Sequence, residues 1–344
     1  MISVGIIGGS GYTGKKLLQF CSAHPFIDKI KVYANTTAGE KLSSVFPDLI
    51  NVIEDDLIES VSNISSEHDV YFCSLPHGEA LYYIPILVSQ GKKVIDLGGD
   101  YRLDSAESYN QWYKIKHTSP ELLKTKVYGL ADYRNEFYSD FNLIANPGCY
   151  PTATLLALLP FASTFGDEII SASTVAYSGT SGAGKSPKAD LLMSEMDGNV
   201  RAYNVNSHRH QPEILQELSK QGFNSPYSFT THLLPIAVGI YSTTSIHLKK
   251  NIQEEKVLKV YQSMYSSSPF VRLRNQPPNL NWVVATNFCD INVSVKNSVV
   301  VITSAIDNLI KGAAGQAIQN MNKVFNWDEK LSLVNSGVQD VQVY

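Results

Sequence analysis

Cys149 stands in Asn146-Pro147-Gly148-Cys149-Tyr150-Pro151-Thr152, followed by the apolar run Ala153–Leu159. Pro151 suits a first helical turn, so the spacing predicts Cys149 at, or just before, a helix N-terminus. The partial positive charge there lowers a thiol pKa and favours the thiolate, the nucleophilic form. Cys21, Cys73 and Cys289 lie inside apolar runs and read as small core residues. No CxxC spacing joins the four, which points to reduced thiols in a cytosolic protein. A second cluster is Ser207-His208-Arg209-His210-Gln211-Pro212-Glu213. Its two imidazoles supply an acid/base near neutral pH, and its guanidinium is a fixed cation for an anionic substrate. A metal site would want further ligands at helical or hairpin spacing, so no metal is expected. A surface loop without a role is the other reading of these letters.

A third constellation is Gly9-Ser10-Gly11-Tyr12-Thr13-Gly14, directly after an apolar run and ahead of Leu17, Leu18 and Cys21 at helical spacing. Glycines so placed permit a tight turn and let the backbone approach a pyrophosphate at the helix N-terminus. A glycine-rich turn without a ligand is the alternative. NAD-specific sites place an acid at the end of the second strand, to bond the ribose 2′-hydroxyl. Here Tyr33-Ala34-Asn35-Thr36-Thr37 carries none before Glu40. Neutral amide and hydroxyl donors suit a 2′-phosphate and favour NADP(H). His77, in Leu75-Pro76-His77-Gly78, is a candidate for the cofactor cleft.

Gly179-Thr180-Ser181-Gly182-Ala183-Gly184-Lys185-Ser186 fits the nucleotide P-loop pattern letter for letter. Pro187 argues against that assignment, because a true P-loop continues into a helix whose amides cradle phosphate. A loop closing over a nicotinamide is the better reading.

The elements that must position these groups fall into two textures. Before residue 148, runs at Ser3–Ile7, Ile30–Ala34, Val70–Ser74 and Lys93–Leu97 alternate with helix-like stretches, 14–22 and 79–90, the second interrupted by Pro85. That is the βαβ pattern of a parallel, Rossmann-like α/β sheet. After Pro151 the runs Ile169–Tyr177, Tyr227–Thr231, Gly239–His247, Thr286–Val295 and Val299–Ile306 predict a mainly antiparallel sheet in an α+β domain, with a helix at Glu254–Ser266. The expected division is 1–148 for the cofactor and 149–307 for catalysis and dimerisation. A last helix within 308–344, apolar on one face to Val324, returns to the first domain.

Composition sets the frame. The 344 residues are 44% hydrophobic and 17% charged, an ordinary globular mixture that excludes a disordered or collagen-like chain. A net charge of −4, with no run of Lys or Arg beyond two, offers no footprint for nucleic acid. No apolar stretch approaches the roughly 20 residues of a membrane helix. The chain opens as a strand rather than as a cationic leader.

With a Rossmann-like half preceding Cys149, the sequence resembles the N-acetyl-γ-glutamyl-phosphate reductase family of the aspartate-semialdehyde dehydrogenase superfamily. The match rests on Gly8–Gly14, Leu75–Gly78, Asp96–Arg102, Ile144–Pro160, Tyr177–Lys185, His208–Ile214 and Asp307–Asn322. Ile144–Pro160 fits the family's active-site signature throughout. The resemblance implies Cys149 as nucleophile, with the acid/base in the His208/His210 pair. Arg102 and Arg209 would hold anions, with Asn146 and Glu213 as further substrate contacts. Ser181, Gly182, Ala183 and Asn308 would border the nicotinamide. Relatives often have a Ser-Arg-Ser-like sequence where this chain has Asn35-Thr36-Thr37. The implied reaction is NADPH-dependent reduction of N-acetyl-L-glutamyl 5-phosphate through a Cys149 thioester, with inorganic phosphate released. A homodimer or homotetramer is implied as well. Two alternatives stand: a carrier-linked aminoadipyl or glutamyl phosphate as substrate, and a non-catalytic dinucleotide sensor.

Overall fold

Ile2–Ile7 (β1) is buried at its last four positions, as befits a strand covered on both faces. It sits inside a seven-stranded sheet with Ile27–Ala34 (β2), Glu59–Ser60 (β3), Val70–Cys73 (β4), Lys93–Asp96 (β5), Val127–Tyr128 (β6) and Leu143–Ala145 (β7). The order is β3-β2-β1-β4-β5-β7-β6, and every pairing is parallel. The order reverses beside β1, which makes its carboxyl end a topological switch point. Helices Tyr12–Ser22 (α1), Ala80–Ser89 (α2) and Ala106–Tyr113 (α3) supply crossovers and cover. The computed structural model describes residues 1–133 and 138–334, and the chain divides into two units. The first comprises Met1–Ala131, 138–147 and 313–334; the second comprises 132–133 and Gly148–Gly312.

Cys149–Phe165 (α4) runs through the second unit, buried at every position from Tyr150 to Ala162. A helix apolar all round belongs in a core. It lies against a sheet of Ile169–Ser178 (β8), Arg201–Tyr203 (β9), Tyr227–Leu233 (β10), Ile240–Leu248 (β11), Val271–Leu273 (β12), Cys289–Lys296 (β13) and Val299–Ile306 (β14). The order is β12-β13-β14-β11-β8-β10-β9, with four antiparallel and two parallel pairings. Ser304 Oγ donates to the Ala153 carbonyl at 2.9 Å, and Tyr261 Oη to that of Ala157 at 2.6 Å. These bonds fix α4 to β14 and to Glu254–Met264 (α6). Gln211–Ser219 (α5) packs beside α4.

Three elements depart from the sequence reading. Pro85 does not interrupt α2, which runs through it from Ala80 to Ser89. The cost is one amide donor, and Ile84 and Leu87 keep the helix seated in the core. The strands β3, β6 and β7 are two or three residues long and have no period to read. The final helix does not begin evenly at residue 308: a π-helical turn, Ile310–Ala314, precedes Gly315–Val324 (α7). Residues 335–344 of the expected C-terminal segment lie outside the described residues. Among the described residues, no helix is long and apolar enough to cross a membrane.

Candidate functional site

In the first unit, the turn after β1 is shaped by close approaches. Gly8 has φ +78°, and a Cβ there would lie 2.3 Å from the Ser74 carbonyl oxygen. A Cβ on Gly14 would lie 2.3 Å from the Gly9 carbonyl oxygen, so the helix packs directly on the turn. Gly11 differs: it is the N-cap of α1, and a Cβ there would meet nothing within 4 Å. That open position, at the start of a helix with no acid in its first turn, leaves Ser10, Gly11, Tyr12 and Thr13 around a cradle fit for a pyrophosphate. Past the end of β2, Asn35 and Thr36 are exposed, and the buried Thr37 Oγ1 has no hydrogen-bond partner among the described residues. An orphaned hydroxyl between neutral donors fits a phosphorylated ribose. His77 Nδ1 accepts from the Gly99 amide at 3.3 Å, and its ring meets Tyr113 edge-on.

Two candidates of this unit, Arg102 for an anion and Asn146 for the substrate, bond to its framework. The buried Arg102 donates from Nε to the Asn146 carbonyl at 2.9 Å and from Nη2 to that of Leu97 at 2.7 Å. It thereby ties the ends of β5 and β7. Burial beside Asp100 pushes the Asp96 carboxyl up to about 7, against the pull of the Gly98 amide and the Arg102 charge. Asn146 is buried too; it accepts from Asn320 Nδ2 at 2.9 Å and donates to the Ala313 carbonyl at 3.2 Å.

In the second unit, Cys149 is the first residue of α4 and Gly148 its N-cap. Cys149 is half-buried, whereas Cys21, Cys73 and Cys289 are buried. Burial pushes the thiols of those three up, to unreactive values. Pro151 has no N–H, and the Thr152 amide is taken by the Gly148 carbonyl at 2.9 Å. Cys149 and Tyr150 are the first two residues of the helix, ahead of the first intrahelical bond.

The histidines differ in situation. A Cβ on Gly148 would lie 2.5 Å from His210 Nε2, so the His210 ring rests on the backbone one residue before Cys149. His208 is buried among Tyr150, Tyr203 and Phe229, with ring centroids 5.3–5.9 Å away. Burial, aided by the Arg209 charge, pushes its pKa down to about 4. Its neutral Nδ1 accepts the His210 amide at 3.1 Å. Arg209 between them is exposed. Glu213 is fully buried, and its Oε1 accepts the Gly148 amide at 2.9 Å.

The loop after β8 forms a 3₁₀ turn, Thr180–Ala183, and Lys185-Ser186-Pro187 is not helical. Without a helix starting at Lys185, this is not a P-loop. Asn308 holds the loop: Nδ2 donates to Ser181 Oγ at 3.0 Å, and Oδ1 accepts the Gly239 amide at 2.6 Å. Gly182 and Ala183 lie on the turn, Gly182 exposed.

One participant carried no sequence signal. The Gly312 amide bonds the Asp307 carbonyl at 2.9 Å, closing the π turn. A Cβ on Gly312 would stand 2.7 Å from Cys149 Cβ, so the turn packs on Cys149 from 163 residues away. The only hint was a glycine in the Asp307–Asn322 segment.

Comparison with known proteins follows this geometry. Residues 3–139 match the family model for the semialdehyde dehydrogenase NAD binding domain, and 149–308 that for the semialdehyde dehydrogenase dimerisation domain. The N-acetyl-gamma-glutamyl-phosphate reductase of Pelotomaculum thermopropionicum is 40% identical, over 98% of this chain and 99% of its own. That of Dehalococcoides mccartyi is also 40% identical, over 92% and 93%. Among solved structures, aspartate semialdehyde dehydrogenase II of Vibrio cholerae, complexed with ASA, superposes with a TM-score of 0.70 at 17% identity, over 95% of this chain and 98% of that one. The Candida albicans aspartate semialdehyde dehydrogenase with NADP gives 0.66 at 15%, over 95% and 98%. These two share the fold.

Proposed function

The chain belongs to the N-acetyl-γ-glutamyl-phosphate reductase family, and on that premise we propose that it reduces N-acetyl-L-glutamyl 5-phosphate to N-acetyl-L-glutamate 5-semialdehyde, in arginine biosynthesis, with NADPH as reductant. The observation that carries this reading is the half-buried Cys149 at the first position of α4, with the His210 ring on the preceding residue.

The Cys149 thiolate attacks the acyl carbon; a C–S bond forms, the C–O bond to phosphate breaks, and inorganic phosphate leaves a thioester behind. The Cys149 and Tyr150 amides serve the tetrahedral oxyanion. His210 protonates the alkoxide of the reduced carbon and takes the proton back as the hemithioacetal collapses to aldehyde. His208, neutral above about pH 4, cannot exchange a proton near neutrality and supports His210 through its amide. Arg209, exposed between them, is the cation for phosphate. The hydride that reduces the thioester carbon is the chemistry a nicotinamide dinucleotide supplies when bound. Gly9–Gly14 would hold its pyrophosphate, Asn35, Thr36 and Thr37 its 2′-phosphate, and His77 would stand beside it in the same unit. The Ser181–Ala183 loop is assigned to the nicotinamide end.

A homodimer is part of this proposal. Val175, Tyr177, Tyr241, Thr243, Val301 and Thr303 form one uncharged, partly exposed face of the second sheet, and Tyr177 is opposite Tyr241. Such a face suits a second copy of itself.

The test is acyl transfer without cofactor. Wild-type protein mixed with the acyl phosphate should release one phosphate per chain in a burst, and Cys149→Ser should release none. Equal release by both would remove the thioester from the mechanism.

A further inference from the structure

His210 and Glu213 are three residues apart where α5 begins, a spacing that sets both side chains on one side of the helix. Both meet the same residue of another element. The His210 ring rests on Gly148, and Glu213 Oε1 accepts the Gly148 amide at 2.9 Å. Glu213 has no solvent exposure, so its carboxyl is committed to the protein interior rather than to a substrate. Released from that bond, the peptide before Gly148 could rotate, and with it the first turn that presents Cys149.

We propose that Glu213 is a positioning residue for the reaction, clamping the Gly148 amide so that one helix end fixes both the nucleophile's turn and the histidine beside it. The bond leaves the Gly148 amide to Glu213 and the oxyanion to the Cys149 and Tyr150 amides. The inference rests on the proposed reaction for its kinetic reading only. Alkylation of Cys149 needs no substrate, so a chain inactive on acyl phosphates would still answer the question.

Two variants divide the roles of the carboxyl. Glu213→Gln keeps an acceptor oxygen and removes the charge; Glu213→Met keeps the length and removes the acceptor. Expected for Glu213→Met is a kcat about a hundredfold lower with KM within about threefold of wild type, the signature of lost alignment. Glu213→Gln should keep both kcat and the rate of Cys149 alkylation by iodoacetamide within about threefold of wild type, because its amide oxygen can still accept from the Gly148 amide. Wild-type kcat in Glu213→Met overturns the proposal, as does an equal loss in both variants. Should Glu213→Met not fold, Glu213→Gln decides alone: a kcat or a Cys149 alkylation rate lowered about tenfold or more, although the acceptor oxygen is kept, overturns the clamp.

Discussion

In the first unit, the turn Gly8–Gly14 acts through its backbone. Gly8 and Gly14 have no room for a Cβ, Gly11 has nothing near it, and the groups proposed to meet the cofactor are amides at a helix start. In the second unit, the surroundings of Cys149 are assembled from distant pieces: a helix end from His210 to Glu213, a π turn around Gly312, and an aromatic cage about His208. A backbone-built site is written in consecutive letters and can be read from them. A site built from distant side chains announces its nucleophile and hides its supports.

Substitutions sharpen that contrast, beginning with the largest expected effect. His210→Asn should lower kcat by about a thousandfold and abolish the bell in the pH–rate profile, because it removes the proposed acid/base. His208 should act on stability instead. Its folded pKa lies near 4 against 6.5 unfolded, so the unfolded chain binds more protons across that window. Stability is then full above about pH 6.5 and falls by on the order of 3 kcal/mol as pH drops towards 4. Urea titrations at several pH values should show this slope, and His208→Asn should flatten it.

Gly14→Ala should cost about 1–3 kcal/mol or more, since the methyl would meet backbone 2.3 Å away; a melting curve without cofactor measures it. Gly312→Ala should lower kcat by about tenfold and also lower the melting temperature, by pushing on Cys149 Cβ. Gly11→Ala is the smallest and most discriminating change. It should leave the melting temperature alone and weaken NADPH binding several-fold, because only a ligand would meet the new methyl. A Gly11→Ala protein that unfolds would make the open position structural and break the contrast between Gly11 and Gly14.

Much of this was legible in the sequence. Gly-x-Gly-x-x-Gly after a strand marked the tight turn into α1, and Gly148 with Pro151 marked Cys149 as the start of a helix, since both motifs encode local backbone geometry. Other features depend on tertiary contacts that no local pattern carries. Gly148 and Glu213 are 65 residues apart, and the family resemblance implied a substrate contact for a side chain that is buried on an amide. Arg102 looked like an anion holder by its charge, yet its Nε and Nη2 go to the Asn146 and Leu97 carbonyls at two strand ends. Two histidines at adjacent-but-one positions looked interchangeable, and burial separated them.

The central claim is a covalent Cys149 intermediate in acyl-phosphate chemistry, and the reverse reaction tests it most directly. With N-acetylglutamate semialdehyde, wild-type protein should reduce NADP only when inorganic phosphate is present, and Cys149→Ser should lose at least about a thousandfold of that rate. Equal rates in the two proteins, or a wild type active on aspartate semialdehyde but not on the acetylated aldehyde, would contradict the account.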